Sequence, residues 1–202
     1  MKVTDKIQIT NEDNMELMKR YPDNYFDLAI VDPPYGIGIS KNPVRQKHDK
    51  KEWDNNIPNE KYFNELFRIS KNQIIWGGNY FDLPKTQGFF IWDKKQPHDF
   101  SLAMVEYAWS SIQKPAKMWS LSVLKEGGKI HPTQKPVELY KWILDNNAKQ
   151  GDKIIDTHLG SGSIAIACHD YDFELTACEL DKEYYDKAIE RIKNHVSQQK
   201  LF

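Results

Sequence analysis

The sequence predicts an α/β fold, one mostly parallel sheet with helices on both faces. Short apolar runs at 28–31, 72–76 and 154–155, rich in β-branched residues, have the length and continuity of strands buried on both sides. Segments with helical spacing stand between most of the strand-like runs, so strand and helix alternate along the chain. Acids close or follow these runs at Asp13, Asp32, Asp156 and Glu179, which would gather four carboxylates at one edge of a parallel sheet.

A chain of 202 residues, 40% hydrophobic and 12% aromatic, has the material for one globular domain. The formal net charge of -1 excludes a uniformly basic surface, so any nucleic-acid contact must come from a local patch. The first six residues lack an apolar signal core, and no run approaches the roughly 20 residues needed to span a bilayer, so a cytoplasmic protein without membrane contact is expected. Cys168 and Cys178 lie in apolar segments without metal-ligand spacing; buried thiols and no metal site are expected.

Residues 6–10 alternate like a strand, and Asp13 precedes the helical pattern Met15, Leu17, Met18, where its ordinary role is a helix cap. The 28–31 strand then delivers Asp32 to a sheet edge. Pro33 and Pro34 fix φ and remove two donors, so the carbonyls of the turn point outward beside the carboxylate and the Tyr35 ring. That is a set of acceptors with a stacking surface, or more plainly a β-turn with Asp32 as cap and Tyr35 as packing.

Residues 36–58 form a long loop in which Lys41, Arg45, Lys47, Lys50 and Lys51 face only Asp49 within the 41–51 run. Such a loop beginning at the acidic turn lies where phosphates would pass, although a solvated loop has the same composition. Trp53 is a candidate anchor near its end.

A helix at 60–69 leads to the 72–76 strand, which ends at Gly77-Gly78. Asn79, Tyr80 and Phe81 after it suit core packing or a pocket wall. The next strand, 88–92, is followed by Asp93, Lys94 and Lys95, and the latter two join the 41–51 cations as candidate contacts for nucleic-acid phosphates. A strand at 103–110 contains Glu106 and follows no helix, which suggests an antiparallel edge or hairpin. No periodicity is evident over 112–130. The string His131-Pro132-Thr133-Gln134-Lys135-Pro136 opens a helix over 137–148, with Pro136 suited to the first turn and Thr133 or Gln134 able to bind its free donors.

Beyond a short strand, Asp156 precedes the tight turn Gly160-Ser161-Gly162 and a helix beginning at Ser163. Glycines allow backbone amides to approach a ligand, and the helix start favours its carboxylate. The spacing is not that of a dinucleotide fingerprint, and His158 is expected to be a structural turn residue. Glu179 ends the last strand, 173–179, where it could accept both hydroxyls of a ribose. Asp181 caps the 181–197 helix or touches ligand, and Tyr184, Tyr185, Ala188, Ile189 and Ile192 make that helix's core stripe.

Three strings carry a resemblance. Asp32-Pro33-Pro34-Tyr35 resembles the catalytic motif of the DNA amino-methyltransferases, the 131–136 string is similar to the motif that precedes their cofactor half, and Asp156 to Ser163 resembles their cofactor loop with Thr157-His158-Leu159 in place of the usual Pro and Phe. Their order looks like the circularly permuted beta group of that family.

The resemblance implies a Rossmann-like, S-adenosylmethionine-dependent methyltransferase fold with one domain, 1–202, and a small target-recognition insert at about 94–130. It implies methyl transfer to N6 of an adenine extruded from double-stranded DNA, since Asp rather than Ser precedes Pro-Pro-Tyr; N4 of cytosine is the alternative. Asp32 and the Pro33 carbonyl would bind the amino hydrogens, Pro34 shape the turn and Tyr35 stack on the base. Asp13 would hold the cofactor's adenine, and His131, Thr133 and Lys135 would flank its methionine end. Asp156, Gly160, Ser161, Gly162, Ser163, Glu179 and Asp181 would complete its site. A homodimer or a partner restriction or specificity subunit would complete the assembly. A protein-glutamine methylating enzyme is disfavoured by Asp32 and by motif order, and a subunit with a decayed site remains the non-catalytic alternative.

Overall fold

The structure, a computed structural model, describes residues 2–38, 57–99, 103–122 and 130–198. Strands β1 (Ile7–Thr10), β2 (Leu28–Val31), β3 (Gln73–Trp76), β4 (Phe89–Asp93), β5 (Val105–Ser110), β6 (Lys117–Ser120), β7 (Lys153–Asp156) and β8 (Glu174–Cys178) form one sheet in the order β1-β8-β7-β2-β3-β5-β4-β6. Among these described strands β5 alone runs against the others.

β2 is central and has no exposed residue, and its side chains alternate between two cores. Leu28 and Ile30 join Ile74 and Ile154 on one face, while Ala29 and Val31 join Ile75 and Ile155 on the other. Each of these buried Leu, Ile and Val side chains contributes roughly 1.5–3 kcal/mol. The first face is covered by α3 (Val137–Asn147), α4 (Ser163–Asp170) and α5 (Lys182–Ser197), through Leu139, Ile143, Ile166, Ile189 and Ile192. The second is covered by α1 (Asn14–Met18) and α2 (Glu60–Ile69), through Leu17, Met18, Phe63, Leu66 and Ile69. The expected architecture, mostly parallel and covered on both sides, is therefore the observed one. Cys168 and Cys178 are buried in these cores.

Helix starts are set locally. Asp13 accepts from Met15 N, Asn59 from Tyr62 N, and Asp181 from both Glu183 N and Tyr184 N; each cap satisfies donors otherwise left open, worth about 1 kcal/mol. Helix α3 departs from expectation. Pro136 is its N-cap rather than part of its first turn, and no side chain caps it. The Thr133 hydroxyl lies 3.0 Å from His131 Nδ1 and Gln134 Oε1 accepts from Ile130 N, so both are spent on the turn before the helix.

Two strand expectations change as well. β5 forms the expected hairpin with β4 but is not an edge, because it turns back onto β3, pairing Trp109 with Ile75 and Ala108 with Trp76. Within 112–130, Lys117–Ser120 pairs with β4 as the edge strand β6. Its pattern is hidden in sequence because Lys117 and Met118 are exposed and only the inner half packs, with Trp119 6.4 Å from Trp142. Among the described residues no helix is long and apolar enough to cross a membrane.

Candidate active site

Parallel pairing brings the carboxyl ends of β1, β8, β7 and β2 to one edge, with Thr10 opposite Cys178 and Asp156 opposite Ala177. At this edge a cavity of about 530 Å³, within the usual size of a small-molecule site, runs between two chemically different ends. Asp32 and Pro34 line it beyond the end of β2; Gly160, Ser161, Glu179 and Asp181 line it beyond the ends of β7 and β8. Asp13, His131, Thr133 and Lys135 also line it.

The glycine-loop end is braced by its own backbone. Glu179 accepts from Gly160 N at 2.8 Å and Asp181 N at 2.9 Å, which fixes the loop against the end of β8 and leaves carboxylate lone pairs for a further donor. Gly160 has φ of 53°, and Gly162 has φ of 75° with its α carbon facing Ile192 of α5. Arg191 donates to the Ser161 carbonyl and to Ser163 Oγ, tying the loop to α5. Gly162, Ser163 and Asp156 therefore shape the loop from behind, outside the cavity lining, while Gly160 and Ser161 face it.

Asp156 is buried and accepts the His158 amide at 2.9 Å. Burial pushes its carboxyl up to about 8, with Asp32 and Glu179 adding to the rise. The folded chain holds this proton where the unfolded chain has lost it, so the contribution is complete below the ordinary carboxylate value near 3.8 and disappears as pH rises through about 8. Melting temperatures measured across that window should fall with pH in the wild type and fall less in Asp156→Asn; equal slopes would count against this role. Burial acts oppositely on His158, lowering its ring to about 4, so it is a neutral imidazole between Asn14 (3.1 Å) and Thr157 (3.0 Å).

At the other end, Pro33 and Pro34 stop the strand immediately beyond Asp32, and the Tyr35 hydroxyl donates back to Asp32 Oδ1 at 2.6 Å. Tyr35 lies over Gly77, whose φ is 69°; a Cβ there would sit 2.1 Å from the ring. Tyr35 stacks on Tyr80 with centroids 5.0 Å apart and planes 14° apart. Tyr80 is 43% exposed and Phe81 is buried, so the aromatic pair after Gly78 divides between surface and core.

Lys135, whose side chain is 2% exposed, projects from the turn before α3 into this end. Its ammonium is 2.5 Å from Asp32 Oδ2 and 3.0 Å from Glu106 Oε2, and lies over the Trp76 ring at 5.2 Å. Burial raises Asp32 above the usual carboxylate value against the pull of Lys135. For Glu106 burial is outweighed by Lys135 and Lys94, which hold it at about 2. For Lys135 itself, burial is outweighed by the two carboxylates, which keep it charged.

Lys94 is a correction. Its side chain is 9% exposed and pairs with Glu106 at 2.5 Å, with the ammonium 5.4 Å from the Trp92 ring centre, so it is part of the interior and not a surface contact for DNA. A lysine is buried here because a carboxylate compensates it. Lys95 is exposed beside Asp93. Lys41, Arg45, Lys47, Lys50, Lys51 and Trp53 lie outside the described residues. Cavity-lining residues not expected from sequence include Asn14, Tyr62, Tyr140 and Leu180. In the sequence Glu106 points only to an antiparallel edge or hairpin; as the one charge among Ala103, Met104, Val105, Tyr107, Ala108 and Trp109, it carries the signal of a buried polar role.

The fold is shared with solved DNA methyltransferases. The M1.HpyAVI–SAM complex superposes with a TM-score of 0.64 at 20% identity, covering 92% of this chain and 99% of that one. PvuII DNA methyltransferase, described as cytosine-N4-specific, gives 0.66 at 13% identity, covering 96% and 93%. The fold is therefore the one these methyltransferases share. A profile of N6/N4-type DNA methylases matches residues 75–190, more than half of the sequence, and the chain belongs to that family. Among curated relatives, the type II methyltransferase M.HpaI of Haemophilus parainfluenzae is 24% identical over 88% of this chain and 71% of its own. M2.MboI of Moraxella bovis is 25% identical over 91% and 89%.

Proposed function

We propose that the protein methylates N6 of adenine in double-stranded DNA, with the target base extruded into the end of the cavity that Asp32 lines. One observation carries this reading: a single cavity joins Asp32 and Pro34 to the Gly160-Ser161 loop and Glu179. The donor set fits S-adenosylmethionine. Glu179 suits a ribose diol, Asp13 an adenine edge, and the loop amides near Gly160 a ligand carboxylate. When bound, that cofactor supplies a methyl group made electrophilic by its sulfonium.

The chain's own residues do the rest. An ionised carboxylate has about four lone-pair sites, and Tyr35 and Lys135 each take one at Asp32. The remainder, with the Pro33 carbonyl, accept the hydrogens of the base's amino group and aim its nitrogen lone pair toward the methyl. The Tyr35 ring, stacked on Tyr80 and held against Gly77, lies outside the cavity lining and braces the turn from behind; the exposed Tyr80 carries the aromatic surface on which an extruded base can stack. No nucleophilic side chain is used, and holding both reactants in line supplies much of the rate. The acid at position 32 supports adenine over cytosine. Glycine loop and acidic turn occur in the order that supports a circularly permuted beta-group enzyme, and Lys95 with the 41–51 cations is assigned to the DNA backbone.

The test is to incubate the protein with isotopically labelled S-adenosylmethionine and mixed-sequence DNA, digest to nucleosides and weigh the product. N6-methyladenine is expected. N4-methylcytosine would overturn the base assignment, and unlabelled DNA would overturn the activity.

A further inference from the structure

The turn that holds Asp32 is connected to a charge the proposed chemistry does not use. Asp32, Lys135, Glu106 and Lys94 form a line of alternating sign, with contacts of 2.5, 3.0 and 2.5 Å. Three different parts of the fold contribute. Lys94 follows β4, Glu106 comes from the reversed strand β5, and Lys135 comes from the turn before α3. The lysine side chains are 2% and 9% exposed, so the line is largely shielded from water and its internal couplings are screened little.

We propose that Glu106 and Lys94 are positioning residues for the catalytic turn: acting through Lys135, they set how much positive charge Asp32 experiences. This rests on Asp32 being the acceptor for the base. Lys135 alone would form a closed pair with Asp32, satisfying the carboxylate and weakening it as an acceptor. Glu106 draws the same ammonium from the opposite side and divides it between two acids. Lys94 in turn limits that pull by engaging the other oxygen of Glu106. Asp32 thus keeps a counter-charge in a shielded site without being wholly satisfied by it. The other titratable groups facing Asp32 are Tyr35, which donates to it, and Asp156 at the end of β7, with Tyr140 of α3 facing Tyr35.

Opposite signs at adjacent links make the inference testable. In Glu106→Gln the negative charge is lost at almost constant shape, and Lys135 falls wholly to Asp32; in Lys94→Gln, Glu106 competes harder for Lys135. The Asp32 carboxyl is followed by carbon NMR in protein labelled at aspartate, with Asp32→Asn identifying its resonance. The titration midpoint should move down in Glu106→Gln and up in Lys94→Gln, each by about one pH unit, a tenfold change in proton affinity. Glu106→Asp, which keeps the charge, should stay nearer the wild type than Glu106→Gln.

The acid limb of single-turnover methylation should shift in the same directions. Midpoints that do not move, or that move the same way in both glutamine variants, would overturn the inference, since a merely structural role predicts no opposed pair. The carboxyl titration needs no turnover. Opposed shifts in a protein that methylates no DNA would therefore reject the functional reading and leave the charge relay standing.

Discussion

Asp32→Ala is expected to remove methyl transfer while leaving the cofactor bound. The carboxylate lies at the opposite end of the cavity from Glu179 and the Gly160-Ser161 loop, so its loss takes away the acceptors for the amino group without touching those contacts. By analogy with removal of a single preorganised hydrogen-bonding group, single-turnover rates should drop at least about 10²–10³-fold. The calorimetric affinity for S-adenosylmethionine should change far less. Lys135 keeps its contact with Glu106 in this variant, so the buried ammonium is not stranded and the fold should survive. Turnover at the wild-type rate would refute the role of Asp32, and a parallel collapse of cofactor binding would show that it serves the cofactor instead.

The second large effect is expected from a residue that touches no ligand. Gly77 has φ of 69°, and a methyl group there would lie 2.1, 2.5 and 2.7 Å from three atoms of the Tyr35 ring. Alanine in this conformation costs roughly 1–2 kcal/mol in backbone strain alone, and the overlap requires the ring to leave. Displacing Tyr35 breaks its bond to Asp32 and its stack on Tyr80 together. A 1 Å misplacement can cost about 10²-fold in rate, so Gly77→Ala should lose at least that much turnover, with lowered thermal stability and nearly normal cofactor affinity. Tyr35→Phe, which keeps the ring and removes only the hydroxyl, should lose much less. If the two variants were equally impaired, the glycine would matter only through the hydrogen bond.

What was legible in the sequence was what local chemistry decides. The all-apolar β2, followed by Asp32 and two prolines, could hardly be anything but a buried strand with an acid at its end, and the Asp181 cap marks the start of α5. Motif strings brought Asp13, His131, Thr133, Lys135, Gly160, Ser161, Glu179 and Asp181 to the cavity before any geometry was known. What stayed hidden depends on partners distant in the chain. Lys94 beside Lys95 looks like ordinary surface charge until the β4–β5 register sets Glu106 against Trp92 and within reach of it. Thr133 and Gln134 have the chemistry of helix caps, and only the turn's own closure shows that they are used elsewhere. β6 is an edge strand with one exposed face, so tertiary pairing rather than pattern defines it.

The reversal of β5 has a consequence for how enzymes of this design can diversify. A parallel strand reaches the reactive edge only with its last residue and must then leave over a helix. Because β5 runs the other way, β4 ends and β5 begins on that same edge. Past Lys94, whose amide bonds the Met104 carbonyl and closes the ladder, the connection between the two strands can therefore grow, shrink or change composition, with the ladder pairs from Phe89–Trp109 to Asp93–Val105 left in register. The geometry of the site and the composition of the connection can then vary separately within one hairpin: its paired stem is held constant, and its open end is free to change.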